Sequence, residues 1–75
     1  MRIDFKKIIA DSGEGKLTKS SLAREMVAKG IFKNQDSAYN MIQWHERGEA
    51  KSIDYELLQY LMERFSLSAS QIIDN

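Results

Sequence analysis

Apolar residues recur along this chain at the spacing of an α-helix, in segments separated by glycines or by residues that favour helix starts. Phe5, Ile8 and Ile9 follow the i, i+3, i+4 pattern that places side chains on one helical face, which predicts a first helix over residues 4–11. Thr18 is a good N-cap for a second helix, over about residues 18–29 and ending at Gly30. Its apolar stripe consists of Leu22, Ala23, Met26 and Val27.

Three more helices are predicted after Gly30. A third over about residues 36–47 has Asn34 or Asp36 as its cap and ends at Gly48, with Ala38, Met41, Ile42 and His45 as its stripe. A fourth begins after Ser52 or Asp54 and ends at Phe65. Its apolar residues cover so much of its circumference that we expect it to be central and largely buried: Tyr55, Leu57, Leu58, Leu61, Met62 and Phe65. Ser68 and Gln71 have the spacing of a capping box and predict a short fifth helix, in which Ile72 and Ile73 face Phe65 and Leu67.

No stretch alternates with period two over a useful length, and no internal repeat is present. The pattern therefore predicts one all-α domain over residues 1–75, a compact bundle of about five short helices. With 75 residues and no cysteine, the domain has to be stabilised by apolar packing rather than by disulfides. A single histidine and no cysteine also argue against a zinc site, and we expect neither a metal nor a cofactor.

No apolar run approaches the roughly 20 residues of a membrane span, and Arg2 and Asp4 are charged where a signal peptide would be apolar. We therefore expect a cytoplasmic protein without a membrane partner. The net charge is zero, but its distribution is uneven. Residues 16–33 contain five basic residues and one acidic residue, a balance of +4, whereas residues 52–75 have a balance of −3. This predicts one basic and one acidic face.

Three local patterns together resemble the lambda-repressor-like (Xre-type) helix-turn-helix family. Residues 17–23, Leu-Thr-Lys-Ser-Ser-Leu-Ala, resemble the opening of the family's helix two. Residues 42–48, Ile-Gln-Trp-His-Glu-Arg-Gly, resemble the end of its recognition helix, and residues 65–68, Phe-Ser-Leu-Ser, resemble the turn into its fifth helix. The patterns occur in the family's order and cover nearly the whole chain. The resemblance implies a lambda-repressor-like DNA-binding fold.

The resemblance also implies where double-stranded DNA is bound. In such a fold the third helix enters the major groove, and the implied base-facing residues are Tyr39, Asn40, Gln43 and Trp44. Asn40 is the best suited, because an amide can bond adenine through two hydrogen bonds. Candidate phosphate contacts are Lys19, Lys29, Lys33, Arg47, Lys51 and Ser52. Lys19 matches the start of helix two, where the helix N-terminus adds its own positive end.

The chain departs from the family pattern between the second and third helices. Ten residues, Ala28 to Ser37, separate Val27 from Ala38, whereas a compact helix-turn-helix uses about 3–4. We expect Ile31 and Phe32 to pack onto the core and anchor this segment. Two interpretations stay open: Lys29 and Lys33 contact an adjacent phosphate, or the segment is a surface insertion without function.

Trp44 and Glu49 are two more departures. An indole has one donor and no acceptor, so Trp44 is poorly suited to hydrogen-bond a base. It packs on a thymine methyl or a sugar, or it covers Ile31 and Phe32, or it belongs to a dimer contact. Glu49 stands where the family tends to have a basic residue, and its carboxylate would repel phosphate.

Catalysis is not predicted. His45 and Glu46 are adjacent and therefore point about 100° apart on a helix, and no second His or Cys completes a metal site. We expect His45 to be a core residue, and the resemblance implies a structural polar contact near the first helix for Glu46. No phosphate-binding glycine loop, nucleophile elbow or zinc-protease motif is present, so we expect no enzyme and no small-molecule substrate.

Two function hypotheses follow from these observations. The first is a sequence-specific transcriptional regulator of phage-repressor or mobile-element type that binds DNA as a homodimer. The second is a protein-interaction module that keeps the fold without base-specific DNA binding. In the second hypothesis an apolar contact patch is formed by Trp44, Tyr39, Ile31 and Phe32.

Overall fold

The computed structural model describes residues 1–74 and is mostly helical. In chain order the elements are β1 (Arg2–Ile3), α1 (Phe5–Asp11), α2 (Lys19–Ala28), α3 (Gln35–Glu46), α4 (Tyr55–Phe65), α5 (Ala69–Ile72) and β2 (Ile73–Asp74). The five helices were all predicted; α1 begins one residue after the predicted start, and α2 to α5 each begin one residue after a predicted cap. The all-α class is thus confirmed in its coarse form.

Polar caps explain where four of the helices begin. Asp4, Thr18, Asn34 and Asp54 each accept a hydrogen bond from the backbone N–H three residues later. Each of these bonds satisfies one of the N–H groups that a helix start leaves without a partner. For α3 and α4, where the sequence left two candidate caps, the structure selects Asn34 and Asp54.

Left-handed residues end α2, α3 and α4. Gly30 and Gly48 have φ of +78° and +74°, a backbone region that glycine enters without the steric cost of a Cβ atom. After them the N–H of Ile31 bonds to the Met26 carbonyl at 2.9 Å, and that of Glu49 bonds to the Trp44 carbonyl at 2.8 Å. These bonds turn the chain back against the helix it has just left. Ser66 ends α4 in the same region, with φ of 54°.

One apolar cluster holds the helices together. Its buried members are Ile3, Phe5, Ile8, Leu17, Leu22, Ala23, Met26, Ala38, Ile42, Leu57, Tyr60, Leu61 and Ile72. The expectation that α4 is largely buried was wrong. Tyr55 on its first turn is 74% exposed, and Leu58, Met62 and Phe65 are only partly buried. Only Leu57, Tyr60 and Leu61 of α4 are buried, while Leu58, Met62 and Phe65 pack against the core and stay partly exposed.

A two-stranded antiparallel sheet joins the ends of the described chain, and the sequence did not predict it. Arg2 pairs with Asp74 and Ile3 pairs with Ile73. Strands of two residues are too short to show an alternating pattern, so periodicity could not reveal them. The Asp4 N–H also donates to the Ile72 carbonyl at 3.2 Å. This pairing fixes α1 and α5 near each other.

The connection between α2 and α3 is shorter than the apolar spacing suggested. It comprises residues 29–34, because α2 continues to Ala28 and α3 already begins at Gln35. It is still longer than the turn of a compact helix-turn-helix. Ile31 and Phe32 are partly buried and pack against the core, which confirms their predicted anchoring role.

Candidate nucleic-acid interface

The solvent-facing side of α3 carries most of the predicted base-contacting residues. Ala38, Ile42 and His45 are buried and hold α3 against the core. At about 100° per residue, Asn40 and Arg47 lie nearly opposite that buried side, with Gln43 and Trp44 on either flank. Asn40 and Arg47 are exposed, Gln43 is half-buried, and Trp44 is 47% exposed. α3 thus divides into a packed side and a polar side with one aromatic residue.

Tyr39 is the predicted base-facing residue that the structure places differently. Its side chain is partly buried and packs against the core. It lies about 100° from Asn40 around the helix, on the flank opposite Trp44. The polar side of α3 is therefore formed by the exposed Asn40 and Arg47 with the half-buried Gln43, whereas Tyr39 lies on the flank that packs against the core.

The same geometry does not support the apolar patch of the protein-interaction hypothesis. Ile31, Phe32 and Tyr39 are all partly buried in contact with the core. Ile31 lines a groove with Tyr55, Gln59 and other residues of α4, whereas Trp44 lines a different groove. The four residues therefore do not form one exposed surface.

Three of the predicted phosphate-contacting cations are free to meet a polyanion. Lys29, Lys33 and Lys51 are exposed and form no ion pair among residues 1–74. Ser52, beside Lys51, is exposed as well. Arg47 is exposed but its Nε donates to Glu49 Oε2 at 3.2 Å. That pair places a cation beside the Glu49 carboxylate, which the sequence analysis expects to repel phosphate.

Lys19 is engaged within the protein. At the start of α2 its ammonium forms an ion pair with the carboxylate of Glu46 at the end of α3. Glu46 thus has a structural polar contact, but with α2 rather than with the first helix. A phosphate at this point would share Lys19 with Glu46 instead of meeting a free cation.

Arg2 fixes the same end of α3 from the other side, and nothing in the sequence indicated this role. Its guanidinium donates to the backbone carbonyls of His45 at 3.4 Å and Glu46 at 3.0 Å. It also donates to the Asp74 carboxylate of β2 at 3.2 Å. A cation at a helix C-terminus satisfies carbonyls that lack intrahelical partners and complements the helix dipole.

The single acidic residue of the basic segment, Glu25, is bound by two side chains of α4. Glu25 Oε1 accepts hydrogen bonds from Arg64 Nε at 2.8 Å and from the Tyr60 hydroxyl at 3.1 Å, both on α4. The hydrogen bond from Arg64 holds the pKa of Glu25 below its usual range. Burial, helped by the bond to Glu25, raises the pKa of Tyr60 to about 12. These contacts compensate the charge of Glu25 internally.

Arg64 also binds Glu14 in the loop between α1 and α2. Its two terminal nitrogens donate to the two carboxylate oxygens at 2.7 and 2.6 Å, a bidentate pair. These hydrogen bonds lower the pKa of Glu14 and raise that of Arg64. The guanidinium of Arg64 therefore links α4 to α2 and to the loop between α1 and α2.

His45 is a core residue, as predicted. It is fully buried, and its Nδ1 accepts a hydrogen bond from the Ile3 N–H at 3.0 Å. Its ring packs edge to face against the ring of Phe5, with 5.8 Å between the two ring centroids. Among residues 1–74, no three His, Cys, Asp or Glu side chains are grouped so that they could hold a metal ion. Within the same range, no helix is long and apolar enough to cross a membrane.

Comparisons with known proteins add no assignment to this geometry. No protein-family model matches the chain, and no curated protein or solved structure is significantly similar to it.

Proposed function

We propose that this protein is a sequence-specific DNA-binding transcriptional regulator with a lambda-repressor-like domain, of phage-repressor or mobile-element type. α3 is its recognition helix and binds the major groove of double-stranded DNA as part of a homodimer. The observation that carries the proposal is the solvent-facing side of α3, where Asn40 and the C-cap residue Arg47 are exposed and Gln43 lies half-buried beside them. A B-DNA major groove is wide enough for one α-helix and presents base edges to such side chains.

The rigidity of α3 supports this role. Its first turn is capped by Asn34, its buried side packs on the core, and its last carbonyls are bound by Arg2. Of the helix pairs, α2 and α3 have the most extensive contact. A recognition helix held at both ends presents its side chains without a large loss of conformational freedom on binding.

The charge distribution supports it as well. Lys33 precedes the start of α3 by two residues, Lys51 follows its end, and both are exposed, so a free cation stands in the chain before and after the helix. Cations in such positions bind phosphates and set the orientation of the helix, while the groove-facing amides supply sequence preference. With zero net charge, the protein depends on this local arrangement rather than on overall attraction to DNA.

Selection from random duplexes, followed by salt titration of the selected site, tests the proposal. We expect Asn40→Ala to weaken binding by about 1–3 kcal/mol and to relax preference at one base pair, because it removes a base contact. Lys51→Ala should instead weaken binding evenly across sequences and reduce the salt dependence by about one phosphate contact.

Two exposed residues away from α3 provide matched controls. Gln59→Ala removes an exposed amide from α4, and Lys6→Ala removes an exposed cation from α1. Both should leave affinity and sequence preference unchanged. Failure to select any duplex at low salt, or an unchanged preference in Asn40→Ala, would disprove base-specific binding by α3.

A further inference from the structure

An apolar groove runs along the flank of α3 that Trp44 occupies. It has a volume of about 410 Å³ and is lined by Met41, Trp44, Glu49, Ala50, Lys51 and Ser52. The turn at Gly48 creates it, because the hydrogen bond from Glu49 N–H to the Trp44 carbonyl folds residues 49–52 back beside the helix. The indole forms one wall and stays about half exposed.

The groove is continuous with the polar side of α3. Trp44 follows Asn40 by four residues, and side chains at this spacing are neighbours on a helix surface, about 40° apart. A ligand that reaches Asn40 along the exposed side of α3 therefore also meets the indole of Trp44. Met41 lies between Trp44 and the packed side of α3 and forms the inner wall of the groove.

The charges around the groove suit a nucleic acid. Lys51 and Ser52 on its rim are exposed, and Lys51 has no ion-pair partner among residues 1–74. The carboxylate of Glu49 accepts a hydrogen bond from Arg47, so a cation lies beside its negative charge. A phosphate can approach the rim while the apolar walls accept an uncharged group.

We propose that this groove binds the 5-methyl group of a thymine, so that Trp44 and Met41 are specificity-determining residues; this rests on the proposed DNA-binding function. The thymine methyl is the apolar group that bases display in the major groove. An indole is poorly equipped to hydrogen-bond bases, but its flat apolar surface suits packing against a methyl group. The groove thus adds an apolar contact beside the amide contact of Asn40.

Replacement of single thymines by uracil in the selected duplex tests the assignment directly. Uracil lacks only the 5-methyl group and keeps the pairing and O4 acceptor of thymine, so hydrogen-bonding patterns are unchanged. We expect at least one replacement to weaken binding about fourfold. This factor is the free energy of burying one methyl group, converted to a ratio of dissociation constants. Trp44→Ala should bind the thymine and uracil duplexes equally at that position.

Tyr55→Ala is the matched control, because Tyr55 is an exposed aromatic residue on α4 outside this groove. It should discriminate thymine from uracil as the unchanged protein does. Equal binding of every uracil duplex by the unchanged protein, a measurement that needs no variant, overturns the groove assignment and leaves the DNA-binding proposal standing. So does Trp44 fluorescence that responds to protein concentration but not to the selected duplex, which would assign the groove to a second copy of the chain. If no duplex can be selected, both proposals fail together.

Discussion

At the scale of single residues, the hydrogen bond of His45 determines which form of its ring the fold tolerates. Nδ1 accepts from the Ile3 N–H, so the neutral ring carries its proton on Nε2, which is buried and has no partner among residues 1–74. A second proton could be added only at Nδ1, where it would oppose the Ile3 N–H. Burial lowers the pKa of His45 below its usual value of 6.5. The folded protein therefore keeps His45 neutral under conditions in which the unfolded chain takes up a proton.

We expect the free energy of unfolding to fall as the pH is lowered from about 6.5 to 5.5, with a slope of at most about 1.4 kcal/mol per pH unit. The sign follows from the lowered pKa: the stabilisation is present above the unfolded-state value and is lost as protons bind the unfolded chain. Urea unfolding at several pH values measures it. Because His45 is the only histidine, His45→Gln should flatten the slope in this interval. An equal slope in that variant would assign the effect to other groups.

The sequence placed His45 in the core but could not supply its partner. The stripe of α3 contains His45 at the correct spacing, so its burial followed from periodicity. Its hydrogen bond comes from Ile3, 42 residues away, in a strand too short to leave a pattern. Lys19 likewise had a predictable position and an unpredictable partner. Its place at the start of α2 was predicted, but its ion pair with Glu46 joins residues 27 apart and depends on how α2 and α3 pack.

At the scale of elements, helix ends were predictable and the faces of α4 were not. Thr18, Asn34, Asp54, Gly30 and Gly48 act locally, so their chemistry is visible in a few neighbouring residues. The burial of α4 depends instead on partners brought by other helices. Tyr60 is buried, and its hydroxyl donates a hydrogen bond to Glu25 of α2, whereas Tyr55 on the first turn of α4 is exposed. Arg64 appeared in the sequence as one charge in an acidic half, yet it connects α4 to α2 and to Glu14.

We expect Arg64→Ala to lower the free energy of unfolding by about 1–3 kcal/mol, because it leaves the half-buried Glu25 without its charged partner. Chemical unfolding followed by circular dichroism measures the change. Arg47→Ala is the matched control, since its pair with Glu49 is more than half exposed on both sides and such pairs contribute about 0–1 kcal/mol. Equal losses in the two variants would contradict a structural role specific to Arg64.

At the scale of the whole molecule, size limits how much DNA one copy can cover in the proposed function. The chain measures 28 × 28 × 20 Å, which is less than the roughly 34 Å of one turn of B-DNA. In the proposed function, one α3 inserted in a major groove contacts only a few base pairs. Small helix-turn-helix domains gain affinity and specificity by placing two copies on successive turns of one DNA face.

The selected site should therefore be an inverted repeat whose half-sites are centred about 10 base pairs apart, with two chains bound per duplex. Sedimentation of the complex gives the stoichiometry, and the spacing of half-sites gives the geometry. Insertion of about 5 base pairs between the half-sites turns the second one to the opposite face of the duplex, which should reduce affinity to that of a single half-site. Insertion of about 10 base pairs returns it to the same face but moves it one helical turn farther away. Contact between two protein copies bound to DNA predicts strong binding at the original spacing and weaker binding at both insertions. Independent copies would bind all three duplexes alike, and that result would exclude a homodimer as the binding unit.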